Sequence, residues 1–208
     1  SAINGHNDSC TTYNYDIEQA KEYLAQSRYA DTYQDIELEC FLLDSAPALE
    51  KMMLSLQANC AQVGITMNIR KGPWLTYQEQ ISNPDSAPNV STCNITPSVN
   101  DAASVMRTLF GSATQGTFEN PTWVSTPELD ERLDTAVTIL DTDERNAAAM
   151  ELQDYVMAEL CASAPVADMA NPYAYQSTYI DWPVADYYNE TGELKYYACL
   201  LYTSDAAD

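Results

Sequence analysis

Residues 36–70 contain a strand-helix-strand pattern that limits the fold more than any other feature of the sequence. Apolar and acidic side chains alternate along 36–42, as in a half-buried strand. Pro47 suits the first turn of a helix and Gly64 suits its end, and residues 65–70 are typical of a second strand. Such a unit is normally a right-handed crossover between parallel strands. The sequence therefore predicts an α/β fold with a mainly parallel sheet flanked by helices.

The rest of the chain continues this alternation of helices and strands. Predicted helices begin at the N-cap Asp16 and cover 73–81, 102–110, 127–140 and 144–161. Predicted strands cover 90–95 and 164–169. Helical spacing also places Leu140 and Met150 on inward faces. Because no low-complexity linker separates these segments, we predict one α/β domain.

Charge and hydropathy exclude several classes of protein. The formal net charge of the 208 residues is −22, with an isoelectric point near 4.1. This charge argues against nucleic-acid partners and against anionic membrane surfaces, because both require clusters of Lys and Arg. No apolar run is long enough for a transmembrane helix. The single histidine, His6, falls in a stretch, 1–12, that we expect to be frayed, so a solvated side chain is favoured over a catalytic one.

Both ends of the sequence suggest a piece of a longer protein. The chain begins with Ser1 rather than Met and shows no signal-peptide pattern. Residues 199–208, CLLYTSDAAD, correspond with permitted codons to an in-frame translation of a sequencing adaptor. We therefore expect 199–208 to be an adaptor-derived artefact. The alternative is an ordinary apolar strand, 200–202, with an acidic tail.

No cofactor or metal site is predicted. Outside the suspected adaptor segment there are five cysteines, and none has the spacing of a metal site or gives a disulfide framework. Residues 141–146, DTDERN, begin like a calcium loop, but Arg145 occupies the third ligand position and the glycine is absent. A helix cap at Asp141 or Asp143 explains this stretch better.

Evidence for catalysis is weak. Asp130 and Asp134 are spaced to share a helix face, as paired acids do in glycosidases, but the solvated face of an amphipathic helix explains them much better. No G-x-S-x-G motif or glycine-rich phosphate loop is present. A secreted hydrolase that uses the carboxylates of region 127–144 is kept as the alternative function.

A polar loop interrupted by proline follows the third predicted strand, in residues 90–104, VSTCNITPSVNDAAS. Open α/β sheets bind ligands in loops at the carboxyl ends of their strands. Trp74 follows the second strand in the same way. The sequence therefore predicts a ligand-binding rim at this sheet edge, with the candidate residues Trp74, Asn94, Thr96, Ser98 and Asp101.

The order of these segments resembles the family 5 solute-binding proteins of bacterial ABC importers, the oligopeptide- and dipeptide-binding class. The resemblance is carried by YDIEQAKEYLAQSRY, by VGITMNIRKGPWLTY and by the long stretch NPTWVSTPELDERLDTAVTILDTDERNAAAMELQDYVMAELCASAPVADM. Family members resembling these segments have an Asn-rich turn before a Pro-Glu-Leu-Asp helix and an Asp-x-x-x-Arg helix start. The resemblance covers residues 13–185.

The resemblance implies a binding protein rather than an enzyme. It implies that 13–185 form the second lobe of a two-lobed periplasmic-binding-protein-like fold and that 186–198 return toward a first lobe outside this chain. It also implies a monomer that captures peptides or other small solutes outside the cytoplasmic membrane and delivers them to ABC permease subunits. A lipid anchor and a free periplasmic form both stay open, as does a fragment without autonomous function.

The family also suggests a role for the loop. In peptide-binding members it reads Trp-x-x-Asp-x-x-Asp-Pro, and its first Asp pairs with the α-amino group of the peptide. The best match here puts Ile95 at the Trp, Ser98 at that Asp and Ala102 at the Pro, while Asp101 keeps the second Asp. The resemblance thus implies a cleft-facing loop that does not select a free amino terminus, unless Asp101 has become the anchor.

Overall fold

A three-stranded parallel sheet forms the centre of the fold. The computed structural model describes residues 3–92, 95–97, 99–167, 174–176, 178, 180–181 and 199–200. Strand β1 (Glu37–Leu43) lies between β2 (Thr66–Gly72) and β3 (Val90–Ser91), and both neighbours are parallel to it. The predicted parallel sheet flanked by helices is confirmed. Of the described residues in the predicted third strand, Val90 and Ser91 pair with β1.

Six α-helices have bounds close to those predicted from the sequence. They are α1 (Ile17–Gln26), α2 (Pro47–Gln62), α3 (Trp74–Ile81), α4 (Ala102–Phe110), α5 (Pro127–Thr138) and α6 (Thr142–Asp154). A π-helical turn, Tyr155–Leu160, extends α6 and ends at Cys161, whose φ of 49° is left-handed. Within the described ranges, no helix combines the length and the apolar character needed to span a membrane.

Local capping chemistry fixes several helix ends as expected. The Asp16 carboxylate accepts a hydrogen bond from the Gln19 backbone N–H at 2.9 Å and so caps α1. Pro47 begins α2, where its missing N–H has no helical partner. Gly64 follows α2 with a φ of 85°, a conformation that strains a residue with a Cβ atom.

The chain divides into two compact units. The first, here called the sheet unit, comprises residues 12–94 and 108–130, and the second, the helical unit, comprises 1–11, 95–107 and 131–208. Two of the four boundaries fall within helices, one in α4 and one in α5. A search of the sequence for low-complexity linkers could not have located these two boundaries.

Strand β1 has a core on each face in the sheet unit. Cys40 and Leu42 pack with Met53 of α2 and Met67 of β2. Phe41, which points the other way, packs with side chains of α3. Burial raises the pKa of the Cys40 thiol to about 11, so this cysteine is a core side chain rather than a reactive one.

Residues near the N-terminus dock on α6 in the helical unit. Asn7 is only 5% exposed. Its side-chain amide donates to the Met150 carbonyl and to the Asp154 carboxylate, at 3.3 and 3.0 Å. The backbone N–H of Asn7 donates to the Gln153 side chain at 3.0 Å. The expectation of a frayed stretch is therefore wrong for residues 3–11, because these hydrogen bonds hold it.

Three further expectations are corrected. Leu140 is 99% exposed because α5 ends at Thr138, before the helical spacing can bring Leu140 inward. Met150 lies on an outer part of α6, where Ala149 and Leu152 are the buried residues. The predicted strand 164–169 is not formed over its described part, 164–167, which is exposed and without regular structure.

Candidate functional site

Trp74 stands at the carboxyl end of the parallel sheet. Strand β2 ends at Gly72, Pro73 caps α3, and Trp74 is the first helical residue. Its side chain is 41% exposed. Two aromatic rings of the sheet unit support it: the Phe118 ring meets it edge-on with centroids 4.9 Å apart, and the Tyr77 ring lies at 6.0 Å. Edge-to-face contact at this distance is favourable, so Trp74 presents a supported aromatic surface.

The residues on either side of Trp74 are closely packed. A Cβ atom at Gly72 would lie 2.8 Å from the Phe41 ring, so only glycine allows this close packing. The Tyr77 hydroxyl donates to the Thr92 carbonyl, just after β3, at 3.3 Å. This bond ties α3 to the start of the loop predicted to bind ligand.

The other tryptophan with described surroundings, Trp123, has a structural role. Its indole N–H donates to the Ile81 carbonyl at the end of α3, at 3.1 Å. A Cβ atom at Gly116 would lie 3.1 Å from its ring. Trp123 therefore braces α3 from within the sheet unit, whereas Trp74 is open to solvent.

The predicted rim residues fall in different parts of the chain. Trp74 belongs to the sheet unit, and Thr96 and Asp101 belong to the helical unit, where Thr96 is exposed. Asn94 and Ser98 lie outside the described residues. Their role in ligand binding stays a prediction.

Asp101 makes structural hydrogen bonds with both carboxylate oxygens. Its Oδ2 accepts from the Ser104 backbone N–H at 3.0 Å and so caps α4. The Arg145 guanidinium donates through Nε to Oδ1 at 2.8 Å and through a terminal nitrogen to Oδ2. Hydrogen bonding to Arg145 is the main reason that the pKa of Asp101 lies well below its usual range.

Arg145 is a key residue that sequence reasoning missed. Besides Asp101, its guanidinium contacts the Ser104 hydroxyl at 3.1 Å and donates to the carbonyls of Val137 and Ile139, where α5 ends. The only sequence signal was the Asp-x-x-x-Arg start of α6. That signal does not reveal a partner 44 residues away.

The acidic stretches act as caps and ion-pair partners. Asp141 accepts from the backbone N–H groups of Asp143 and Glu144, both at 3.0 Å, which confirms the helix-cap interpretation of this stretch. In the sheet unit, Asp130 accepts from the Ser112 N–H at 2.8 Å. In the helical unit, Asp134 pairs with Arg107 at 2.7 Å. The part of the chain that the structure describes contains no cluster of three potential metal ligands.

Solved structures similar to this chain share its fold. The ABC transporter-associated periplasmic binding protein DppA from Helicobacter pylori, in complex with the peptide STSA, gives a TM-score of 0.63 at 22% identity, over 74% of this chain and 29% of its own. The dipeptide-binding protein from a Pseudoalteromonas species, in complex with Met-Leu, gives 0.64 at 19% identity, over 75% of this chain and 31% of its own.

A third similar structure is the oligopeptide-binding protein AppA from Bacillus subtilis in complex with a nonapeptide. Its TM-score is 0.59 at 15% identity, over 75% of this chain and 34% of its own. The chain thus spans about a third of the length of each of these three proteins. The likeness establishes a periplasmic-binding-protein-like α/β fold.

Sequence comparisons identify the family. No curated protein sequence gave a significant match. The family model for bacterial extracellular solute-binding proteins, family 5, middle region, matches residues 1–117, more than half of the 208 residues. The chain therefore belongs to the family 5 bacterial extracellular solute-binding proteins.

Proposed function

We propose that this chain is part of the substrate-binding component of an ABC-type importer. In this proposal it contributes residues 13–185 as the second lobe around a cleft that captures peptides or related small solutes outside the cytoplasmic membrane. The loaded protein is a monomer that docks on ABC permease subunits. The match of the family model over residues 1–117 is the observation that carries the proposal.

The geometry of the sheet unit supports a binding role. Trp74 is held half-exposed at the carboxyl end of a parallel sheet, the edge at which open α/β sheets bind ligands. Aromatic side chains supply large contact areas at low entropic cost. We propose that Trp74 contacts the solute, and Asn94, Thr96 and Ser98 stay proposed ligand-binding residues with neutral hydrogen-bonding groups.

No observation favours the alternative of a secreted hydrolase that uses the carboxylates of region 127–144. Asp130 and Asp134 each accept a hydrogen bond from a residue of their own unit. Family 5 is a family of binding proteins. We therefore propose that the chain has no catalytic activity and requires no cofactor.

Isothermal calorimetry with a small set of tripeptides tests the proposal directly. The probes are trialanine, trilysine and Ala-Phe-Ala, titrated into the two-lobed protein of which, in this proposal, residues 13–185 form the second lobe. We expect saturable binding of at least one probe. We also expect Trp74→Ala to weaken that binding about tenfold, the effect of losing roughly 1.4 kcal/mol of contact.

Leu75→Ala is the matched control, because Leu75 is the neighbouring apolar residue on α3 and is exposed. We expect its affinity for the same tripeptide to stay within about twofold of wild type. No saturable binding of any probe up to about 10 mM would contradict the proposed peptide-binding function. Equal losses in Trp74→Ala and Leu75→Ala would contradict the role of Trp74.

A further inference from the structure

The loop between β3 and α4 contains a single acidic residue. Residues 90–104 read VSTCNITPSVNDAAS, in which only Asp101 carries a carboxyl group. A positively charged group of a solute at this loop would need that carboxylate as its partner. The hydrogen bonds of Asp101 therefore decide what the loop can recognise.

Arg145 and the first turn of α4 occupy that carboxylate. The side chains of Asp101 and Arg145 are 23% and 22% exposed, so the pair is largely shielded from water. Asp101 accepts from two guanidinium nitrogens and from the Ser104 N–H. Two parallel bonds of this kind are stronger and more strictly oriented than a single-point ion pair.

Arg145 is itself held from a second direction. The guanidinium nitrogen that does not reach Asp101 donates to the Val137 and Ile139 carbonyls at the end of α5. Arg145 lies in the first half of α6, whose N-cap is Asp141. One guanidinium therefore joins the start of α4 to the end of α5 and to α6.

The N-terminal segment holds the same end of the loop. The Asn4 N–H donates to the Asn100 side chain at 2.7 Å, and the Ala102 N–H donates to the Asn4 carbonyl at 2.9 Å. Asn100 and Ala102 are thus bonded to Asn4, and Asp101 to Arg145, all within the helical unit. These polar contacts hold the loop end beside the buried side chains of Ala102 and Ala103.

We infer that Asp101 and Arg145 are positioning residues for the ligand-binding loop, and that Asp101 is not the partner of a charged group on the solute. The second part rests on the proposed function. Apart from Asp101, the polar side chains in the sequence of this loop are neutral hydroxyl, amide and thiol groups. A solute with a neutral or blocked amino group is accepted there as readily as one with a free ammonium group.

Amide hydrogen exchange followed by mass spectrometry tests the positioning role without any ligand, on the whole chain. In Arg145→Ala we expect exchange of peptides covering 99–104 to accelerate about tenfold or more. Peptides covering β1 should keep the wild-type rate. In Arg145→Lys, which keeps the charge but not the planar fork, the acceleration should be smaller.

Arg107→Ala is the matched control, since Arg107 forms an ion pair with Asp134 that is more than half exposed. It should leave exchange of 99–104 unchanged. Unchanged loop exchange in Arg145→Ala, or equal acceleration of loop and β1, would overturn the positioning role. If Arg145→Ala does not fold, the comparison of Arg145→Lys with wild type decides, and a wild-type exchange rate at 99–104 overturns the role.

Calorimetry with trialanine and N-acetyl-trialanine tests the second part. We expect the two affinities to agree within about threefold in the wild type. A free-amine preference of tenfold or more that Asp101→Asn abolishes would show that Asp101 is the anchor after all and overturn the inference. If neither peptide binds, the proposed peptide-binding function fails, while the exchange experiment still decides the positioning role.

Discussion

Apolar clusters surround the central strand of the sheet unit, whereas in the helical unit long-range polar contacts supplement the buried apolar side chains. In the sheet unit, alternate residues of β1 enter two apolar clusters, one around Leu42 and one around Phe41. In the helical unit, the buried Asn7 and the Asp101–Arg145 pair join segments that lie far apart in sequence. Regular apolar patterns can be recognised in a sequence, whereas a polar pair is evident only once the fold brings it together.

The largest effect should come from the apolar core of the sheet unit. Leu42 is fully buried in the central strand, at 0% exposure. Leu42→Ala should lower the free energy of unfolding by about 2–5 kcal/mol, because it removes buried methyl groups and leaves a cavity. Urea denaturation measures this change.

Leu54→Ala on α2 is the control, since Leu54 is 49% exposed. It should change the unfolding free energy by no more than about 0.5 kcal/mol. A comparable loss in both variants would mean that alternation along β1 does not mark the energetic centre of the sheet unit.

Apolar patterns were predicted correctly along the central strand and less well at the end of a helix. Ile36 to Leu42 alternate clearly, and the parallel pairing of this strand with its two neighbours was predicted correctly. Leu140 also fits a helical spacing, yet it is exposed. The helical spacing of apolar residues continues in the sequence beyond the end of a helix. The structure shows that α5 ends at Thr138, so the spacing does not apply to Leu140.

Asn7→Ala should have the next largest effect, this time in the helical unit. The substitution removes bonds to Met150 and Asp154, and it also leaves the Ser9 N–H and hydroxyl without the Asn7 oxygen, at 3.0 and 2.8 Å. We expect a loss of about 2–3 kcal/mol in thermal or urea unfolding, because the buried Asn7 side chain loses several hydrogen bonds and partly buried groups on α6 lose a partner.

Asn59→Ala on α2 is the matched control, because the described bond of Asn59 joins it to the exposed Gln62 side chain. The free energy of unfolding should change by less than about 0.5 kcal/mol. If Asn7→Ala proves equally mild, the docking of residues 3–11 on α6 contributes little to stability, and the contrast between the two units disappears.

Acid should weaken the Asp101–Arg145 pair in a predictable direction. The pKa of Asp101 is lowered in the folded chain, mainly by its hydrogen bonds to Arg145. Its contribution is therefore fully present above the ordinary aspartate pKa of about 4 and declines as pH falls below it. Wild type should exceed Asp101→Asn by about 1–2 kcal/mol at pH 7, and the difference should shrink between about pH 4 and pH 2.

Chemical denaturation at several pH values measures this difference. Comparing the two proteins at each pH removes the common contribution of the many other carboxylates. A difference that stays constant down to about pH 2, or grows in acid, would show that the Asp101 charge does not stabilise the folded chain.

The proposed ligand-binding rim was the hardest feature to assess from the sequence. The loop was located from its place after β3, but the sequence showed Arg145 only in an Asp-x-x-x-Arg helix start and as a residue that breaks a calcium motif. The carboxylate that looked available at Asp101 is bonded in the fold. A charged residue in a loop is therefore evidence for a charged ligand only when the fold leaves its side chain without an intramolecular partner.

The smallest effect should come from Arg107→Ala, which sharpens the comparison between two ion pairs of the helical unit. The Arg107 Nε and Asp134 Oδ1 atoms are 2.7 Å apart, a distance typical of a charge-assisted hydrogen bond, but the two side chains are 52% and 65% exposed. Water and salt screen such a pair, and holding two long side chains together costs entropy. We expect a loss of about 0.5 kcal/mol or less, which should vanish in about 0.5 M NaCl.

Arg145→Ala, measured in the same urea titrations, should lose clearly more unfolding free energy and keep most of that loss in salt, because the Asp101–Arg145 pair is shielded from water. If Arg107→Ala matches Arg145→Ala in size and in salt dependence, then the number of close charges rather than their burial determines stability here, and Arg145 has no special place in holding the loop.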